Sequence, residues 1–386
     1  MKLPRLAASF GLALAAAAVP AATAAAASRH SGAQAAPSPG HVYVNDNTAG
    51  ANTVAAFDRS ADGRLTPIPG SPFAAGGAGL GKGIPSQGAT QLSADGRFVL
   101  VTDAGSNQVS VLRIGAGGVP QEVGSPTASG GVRPVSIAVA GDLVYVANSG
   151  TGGTNVTGFR LTPQGELHRL RDSTIALPEG SGPGDVLFNA SGRKLAVTLI
   201  ESSTIESFDV RPDGRLVAAP NSPFKAQGLG PFGAEFRPTE PSQLFVSNAH
   251  DGAGLGTVSA FKVSLNGDLA SIAASPFANG QTAPCWVEIS HDGRFLFATN
   301  TASGTISSYA IAADGELSLI GNTEFGVAGG GAVDLRLSPD GSKLFVNGSK
   351  AGVVAAFAVS GGDLTQLPSS PTSLPAGAFA AGIVLN

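Results

Sequence analysis

Leu244-Phe245-Val246-Ser247-Asn248, followed nine residues later by Thr257-Val258-Ser259-Ala260-Phe261, is one copy of a two-strand unit that the chain writes seven times. The first member recurs as Val42-Tyr43-Val44, Phe98-Val99-Leu100-Val101, Val144-Tyr145-Val146, Leu195-Ala196-Val197, Leu296-Phe297-Ala298 and Leu344-Phe345-Val346. The second recurs as Val54 to Phe57, Val109 to Leu112, Val156 to Phe159, Ile205 to Phe208, Ile306 to Tyr309 and Val354 to Phe357. The first members end at positions 44, 101, 146, 197, 246, 298 and 346, a period of about 50 residues, which marks a propeller or a solenoid.

Turn signals follow most of the second strands at a fixed offset: Asp62-Gly63, Gly117-Gly118, Gln164-Gly165, Asp213-Gly214, Asn266-Gly267 and Asp314-Gly315. Asn-Gly and Asp-Gly supply the positive φ of a tight hairpin, so each leads into a third strand such as Leu269 to Ile272. A fourth, alternating segment such as Pro284-Cys285-Trp286-Val287-Glu288-Ile289-Ser290 precedes each new unit. The expected fold is therefore all-β: a seven-bladed β-propeller of four-stranded antiparallel blades. The chain stops at Ile383-Val384-Leu385-Asn386, a fourth segment with no unit after it, so the C-terminal strand is expected to complete the first blade and close the ring.

One domain, residues 41–386, follows from the unbroken repeat in a chain of 386 residues; 54 Gly and 26 Pro suit short strands and tight turns. Residues 1–27 read as a signal peptide: Lys2 and Arg5, an apolar run from Phe10 to Val19, then Ala24 to Ala27. Residues 28–40, rich in Ala, Ser, Pro and Gly, read as a flexible leader. A secreted or cell-envelope location is expected, with no stable membrane insertion after cleavage. Without Lys2 and Arg5, 21 basic residues face 27 acidic ones. The basic residues are scattered singly, so nucleic acid is not an expected partner. A single cysteine, Cys285, excludes an intrachain disulfide and reads as a small buried hydrophobe.

Gly76 to Gly83 has the spacing of a phosphate-binding loop, but Gly83 replaces the magnesium-binding Ser or Thr, and the segment joins antiparallel strands. It reads as a connection between blades. The five histidines show no metal-site spacing, and neither a metal nor a cofactor is expected. His250, in the loop from Asn248 to Gly256, is the candidate ligand-binding histidine. Aligning the innermost strands is more informative. At the Trp286 level the ring reads Ala89, Ser136, Asp185, Gly233, Trp286, Asp334 and Gly382; two residues on it reads Gln91, Ala138, Leu187, Glu235, Glu288, Arg336 and Val384. Innermost strands line the channel, so Asp185, Glu235, Glu288 and Arg336 form a candidate catalytic cluster, with Trp286 and Asp334 as candidate ligand contacts. Carboxylates beside one another and an Arg have pKa values pushed apart, as acid–base roles require; the same groups could instead be ion pairs that dock blades.

The Tyr/Phe-Val-x-Asn strands, the Ser-x-Asp-Gly turns (Ser93 to Gly96, Ser338 to Gly341) and the Thr-Val-Ser-x-Phe strand (Thr257 to Phe261) resemble the lactonase-type seven-bladed propellers. That family includes propeller 6-phosphogluconolactonases and carboxymuconate cyclases, and the resemblance covers residues 41 to 386. It implies His, Arg and Glu side chains near the channel mouth that bind an anion and move a proton at a lactone. The family's Arg-His pair falls on Gly184-Asp185, its His-x-His on Ser86-Gln87-Gly88, and one Glu on Leu199 to Ile200, with Glu201 nearby; another Glu falls close to Glu235. With most of that polar set replaced, a monomeric propeller that binds a cell-envelope, protein or small-molecule ligand is expected ahead of a divergent lactonase acting on a sugar or carboxylated lactone.

Overall fold

The computed structural model describes residues 39–327 and 329–386, so the expected signal peptide and residues 28–38 of the leader lie outside the described residues. Seven antiparallel sheets follow one another around the ring. Their innermost strands are Gly382–Leu385 for blade 1, then Thr90–Leu92, Pro134–Ala140, Pro183–Phe188, Pro231–Phe236, Pro284–Ile289 and Ala332–Leu337 for blades 2 to 7. Each pairs with the marker strand that follows it, except in blade 1, where the C-terminal strand pairs with Gly40–Asn45 from Val42↔Leu385 to Asn45↔Gly382. The ring closes as the sequence leads one to expect, one residue earlier at the N-terminal side.

The outer edge differs from a plain fourth strand. In six blades it is split into two short pieces that both pair with the third strand, as Leu65–Pro67 and Phe73–Ala74 do on Thr53–Arg59. Blade 6 alone runs through, as Leu317–Glu324 with a register shift at Ser308/Tyr309.

The repeated spacing Val/Ile-x-x-aromatic has a direct packing cause. Alternation in a strand puts the two residues on opposite faces, so each apolar residue meets a different neighbouring blade. Phe57, Phe159, Phe208, Tyr309 and Phe357 are all almost fully buried. Contacts between blades are also polar: Tyr43 Oη donates to Gly118 O at 2.8 Å and Tyr145 Oη to Gly214 O at 2.9 Å. Gly214 has φ +89°, which an L side chain rarely adopts, and its carbonyl is presented by that turn.

The innermost strands are edge strands facing the channel, and five begin with a register shift, for example between Pro284 and Trp286. Their free backbone groups need partners that no eighth strand can supply. Hydroxyls on neighbouring blades take several of the carbonyls: Thr198 Oγ1 donates to Phe232 O and Thr301 Oγ1 to Ala332 O. Several of the N–H groups are taken by side chains that point into the channel.

Candidate functional site at the propeller axis

Going round the ring, a side chain of one blade accepts from the backbone of the next. Ser136 Oγ accepts from Val186 N at 3.0 Å, Asp185 Oδ2 from Ala234 N at 3.1 Å, Glu235 Oε2 from Ile289 N at 2.6 Å, and Glu288 Oε1 from Leu337 N at 2.8 Å. The axial carboxylates therefore complete the inner edge of the sheet as well as lining the channel.

One link in this series comes from elsewhere. Blade 5 has Gly233 at the level where its neighbours carry side chains, and the carboxamide of Gln87 occupies the space: a Cβ on Gly233 would lie 2.1 Å from Gln87 Oε1. Gln87 Oε1 accepts from Val287 N at 3.0 Å and its Nε2 donates to Val287 O at 2.9 Å. Gln87 belongs to the connection into blade 2, so its segment crosses the channel. Ser86 Oγ donates to Val135 O at 2.7 Å, Gln87 N to Gly184 O at 2.8 Å, and Gly88 O accepts from Ile137 N at 2.8 Å. Ser86 O accepts from Trp286 Nε1 at 2.8 Å. Residues 86–88 thus plug the channel at the end where the innermost strands begin.

Below the plug lies a cavity of about 320 Å³. It is lined by Gln87, Gln91, Asp185, Glu235, Glu288 and Arg336, with Ala138, Val186, Phe188, Phe236 and Pro238 among the apolar residues. Phe188, Ala190 and Pro238 stand at or beyond the ends of innermost strands, so the cavity opens on the face opposite the plug.

The structure brings Asp185, Glu235, Glu288 and Arg336 together, as the register alignment anticipates. Arg336 Nη1 lies 3.3 Å from Glu288 Oε2 and 3.4 Å from Asp334 Oδ1, and donates to Leu335 O at 2.9 Å. The carboxyls are not split into high and low values: all four are raised. Burial pushes Asp185 up to about 7, against the hydrogen bonds from Ala234 and Ser136. Burial and then the Glu288 charge hold Glu235 well above the ordinary carboxylate range. Burial also raises Glu288 and Asp334, with Arg336 opposing both. Arg336 is held firmly charged: burial opposes its charge, but the four surrounding carboxyls, Asp334 first, outweigh that.

Three other candidates stand apart from the cavity. Trp286 is buried on the plug side, its ring 4.8 Å from that of Phe232 in an edge-on contact, and it does not line the cavity. Asp334 is 1% exposed behind Arg336. His250 follows the blade 5 marker strand on the plugged face, exposed, its backbone N donating to Leu229 O at 2.9 Å. Glu201 likewise lies on that face, where its backbone N donates to Ser181 O at 2.9 Å. Gln87 is the site residue least visible from register alone, because it reaches the axis from a loop; its sequence signals were the hole left by Gly233 and the alignment of Ser86-Gln87-Gly88 with the family's His-x-His. Among the described residues no three His, Cys, Asp or Glu side chains gather as a metal-ion site.

Fold and site together define a seven-bladed propeller whose axial channel is plugged at one end and forms a ligand-sized acidic cavity at the other. The chain belongs to the family described as "Lactonase, 7-bladed beta-propeller", whose model matches residues 14–181 and 238–332. No curated protein sequence matches it. Among solved structures, the periplasmic gluconolactonase PpgL of Pseudomonas aeruginosa is 16% identical with a TM-score of 0.72, over 90% of this chain and 99% of that one. A Bacteroides uniformis protein provisionally assigned as a 6-phosphogluconolactonase is 18% identical with a TM-score of 0.72, over 90% and 99%. A streptogramin B lyase is 16% identical with a TM-score of 0.54, over 78% and 95%. At these identities the structural likeness establishes the fold alone.

Proposed function

We propose that the chain is an exported, divergent lactonase whose axial cavity takes a small, neutral, hydroxyl-rich lactone. One observation carries this reading: Glu235, partly exposed and held at Oε2 by Ile289 N, lines the cavity with its pKa raised by burial and by Glu288. A carboxylate whose pKa is raised is a stronger base than an ordinary one once it is ionised. In the step envisaged, Glu235 takes a proton from water as the water oxygen bonds to the lactone carbonyl carbon. Arg336 faces the oxyanion, and collapse breaks the ring C–O bond, with the proton passing to the leaving alkoxide. Neutral lactones are favoured over carboxylated or phosphorylated ones at this position because Arg336 is already matched by Glu288 and Asp334, leaving the cluster no cationic excess. The family membership and the gluconolactonase-like fold neighbours support the chemistry; the Lys2-to-Ala27 segment and a periplasmic neighbour support export.

A second reading is a non-catalytic binding propeller. It is favoured by the fact that Asp185, Glu235 and Glu288 each already accept a backbone N–H, which gives all three a structural task. The test is a pH-stat assay of the protein from Ser28 onward on neutral and anionic sugar lactones. Turnover of neutral lactones, reduced about 100-fold or more in Glu235→Gln, is expected. Hydrolysis no faster than in buffer for every lactone leaves the binding reading in place.

A further inference from the structure

A groove leads from the axial cavity outward between blades 3 and 4 and ends at arginines. The cavity shares Val139, Phe188 and Ala190 with a second hollow walled by the hairpin turns at 140–141 and 189–192. That hollow shares Ala140 and Gly192 with a third, of about 560 Å³, lined by Arg160, Arg193 and Arg211 and, among the described residues, by no acid. The path runs from the innermost strands to the third strands, two strand spacings or about 10 Å, the length of a disaccharide. Phe188, half-buried, borders both the cavity and the second hollow, where a ring can pack on a sugar face.

Blade 4 departs from the repeat at both of the arginines that matter. In the equivalent turns Arg97 is paired with Asp95 at 2.6 Å and Arg294 with Asp292 at 2.6 Å. The same turn in blade 4 runs from Asn189 to Lys194, and Ser191 stands where those acids do, so Arg193 lacks the acid of its own turn. Arg211 opens a hairpin whose counterparts, closed by the same backbone hydrogen bond, begin with Ser60, Gly115, Thr162, Ser264 and Ala312. Two acids stand near. Asp142 is paired with Arg160 at 2.5 Å, and Asp213, which feels Arg211, is paired with Arg215 at 2.7 Å. In a chain with 27 acidic and 23 basic residues, this groove end is locally cationic.

We infer that the groove binds an extended acidic saccharide: its neutral end lies in the axial cavity, and its carboxylate- or phosphate-bearing units lie against Arg193 and Arg211. The inference rests on the proposed sugar-lactone site for the identity of the ligand, while the charge requirement rests on the groove alone. The test is calorimetric binding of an acidic trimer, with one neutral hexose at its end and two uronate units, and of maltotriose to the whole protein at low ionic strength. The acidic trimer is expected to bind about tenfold tighter and to weaken with added salt. The Arg193→Ser, Arg211→Ser double variant should lose about tenfold, and Ser191→Asp, which restores the missing acid without removing an arginine, severalfold. No binding of the trimer, equal binding of both sugars, or affinity unchanged in both variants would overturn the inference. Neutral-lactone turnover without trimer binding sinks the groove alone; trimer binding without lactone turnover sinks the catalytic reading and keeps the groove.

Discussion

Replacing Asp46 with Asn should raise the stability of the propeller at alkaline pH and leave it unchanged at pH near 4.5. Asp46 lies two residues beyond Val44 and is fully buried. Its Oδ2 accepts from Thr53 Oγ1 at 2.7 Å, whereas its buried Oδ1 has no hydrogen-bond partner. Burial pushes the carboxyl up to about 7, with the Thr53 hydroxyl opposing. An unfolded Asp titrates near about 3.9, so the folded chain binds the proton more tightly than the unfolded one. Stability tied to this group is therefore fully present below about pH 4 and is lost as pH rises through about 7. The difference corresponds to ~4 kcal/mol at pH 8 as an upper bound, of which relaxation around the site would leave ~1–2 kcal/mol to be recovered by a neutral side chain. The amide should fit, because blades 3, 5 and 6 carry Asn148, Asn248 and Asn300 at the same place. At about 2 °C per kcal/mol for a domain of this size, Asp46→Asn should melt ~2–4 °C above the wild type at pH 8 and level with it at pH 4.5. Melting curves recorded from pH 4.5 to 8.5 decide the matter: a constant offset between the two proteins, or none, would refute the assignment of the charge cost to Asp46.

Asp103, at the same level of blade 2 but hydrogen-bonded by Ser110 and Asn52, is pushed up only to about 6, so Asp103→Asn should give a smaller gain, measured in the same melts. Deleting Gly382–Asn386 removes the strand paired with Val42 to Asn45 and the buried Ile383 and Val384; a loss of ~5 kcal/mol is expected, and an unchanged melting temperature would contradict the closure. Gly233→Ala places a Cβ 2.1 Å from Gln87 Oε1 and 2.6 Å from Cys285 O, which should cost ~2–3 kcal/mol in urea unfolding; an unaltered midpoint would mean the plug is free to move. Cys285, buried and with its thiol pushed up to about 11, should react with thiol reagents at pH 8 far more slowly in the native than in the urea-unfolded protein, and equal rates would be inconsistent with its placement.

The fold was legible because every blade obeys the same two constraints, alternation in the strands and positive φ in the turns, and seven repetitions average out local ambiguity. The closure was legible because the repeat begins and ends out of phase with the blade. Asp185, Glu235, Glu288 and Arg336 could be placed together since a two-residue alternation in equivalent strands fixes their level on the axis. Gln87 could not be placed that way: it sits in a connection, and its position depends on what Gly233 leaves empty on a blade some 150 residues away. The titration behaviour was legible only in part. Proximity of acids and an arginine was foreseen to split their values, but burial raises every carboxyl before its neighbours act. The alternation also placed Trp286 at the right level and on the wrong side of the plug to meet the cavity, because level alone does not tell which end of a channel is closed.

That closed end bears on how this branch of the family can work. A propeller ring leaves seven inner edges to be satisfied, and this chain uses carboxylates for several of them and the Ser86-to-Gly88 segment for others. The plug is bonded to blades 3, 4 and 6 at once, with Ser86 and Gln87 at most 4% exposed. Opening it would break several buried hydrogen bonds together and leave the Val287 N–H and C=O without partners, at ~1–3 kcal/mol for each orphaned group. A gate that expensive stays shut on the timescale of ligand exchange, so traffic to Glu235 and Arg336 must pass through the opposite face. The segment that the family resemblance aligns with His-x-His is thus committed to structure, and any chemistry on the axis has to be done from the other side by groups that also hold the blades in register. Substituting Gln for Glu235 preserves a backbone acceptor and removes the base, whereas Ala removes both. If Glu235→Gln melts like the wild type while Glu235→Ala does not, the structural and proton-accepting roles of that one side chain are separable, and the activity of the Gln variant reports on the second alone.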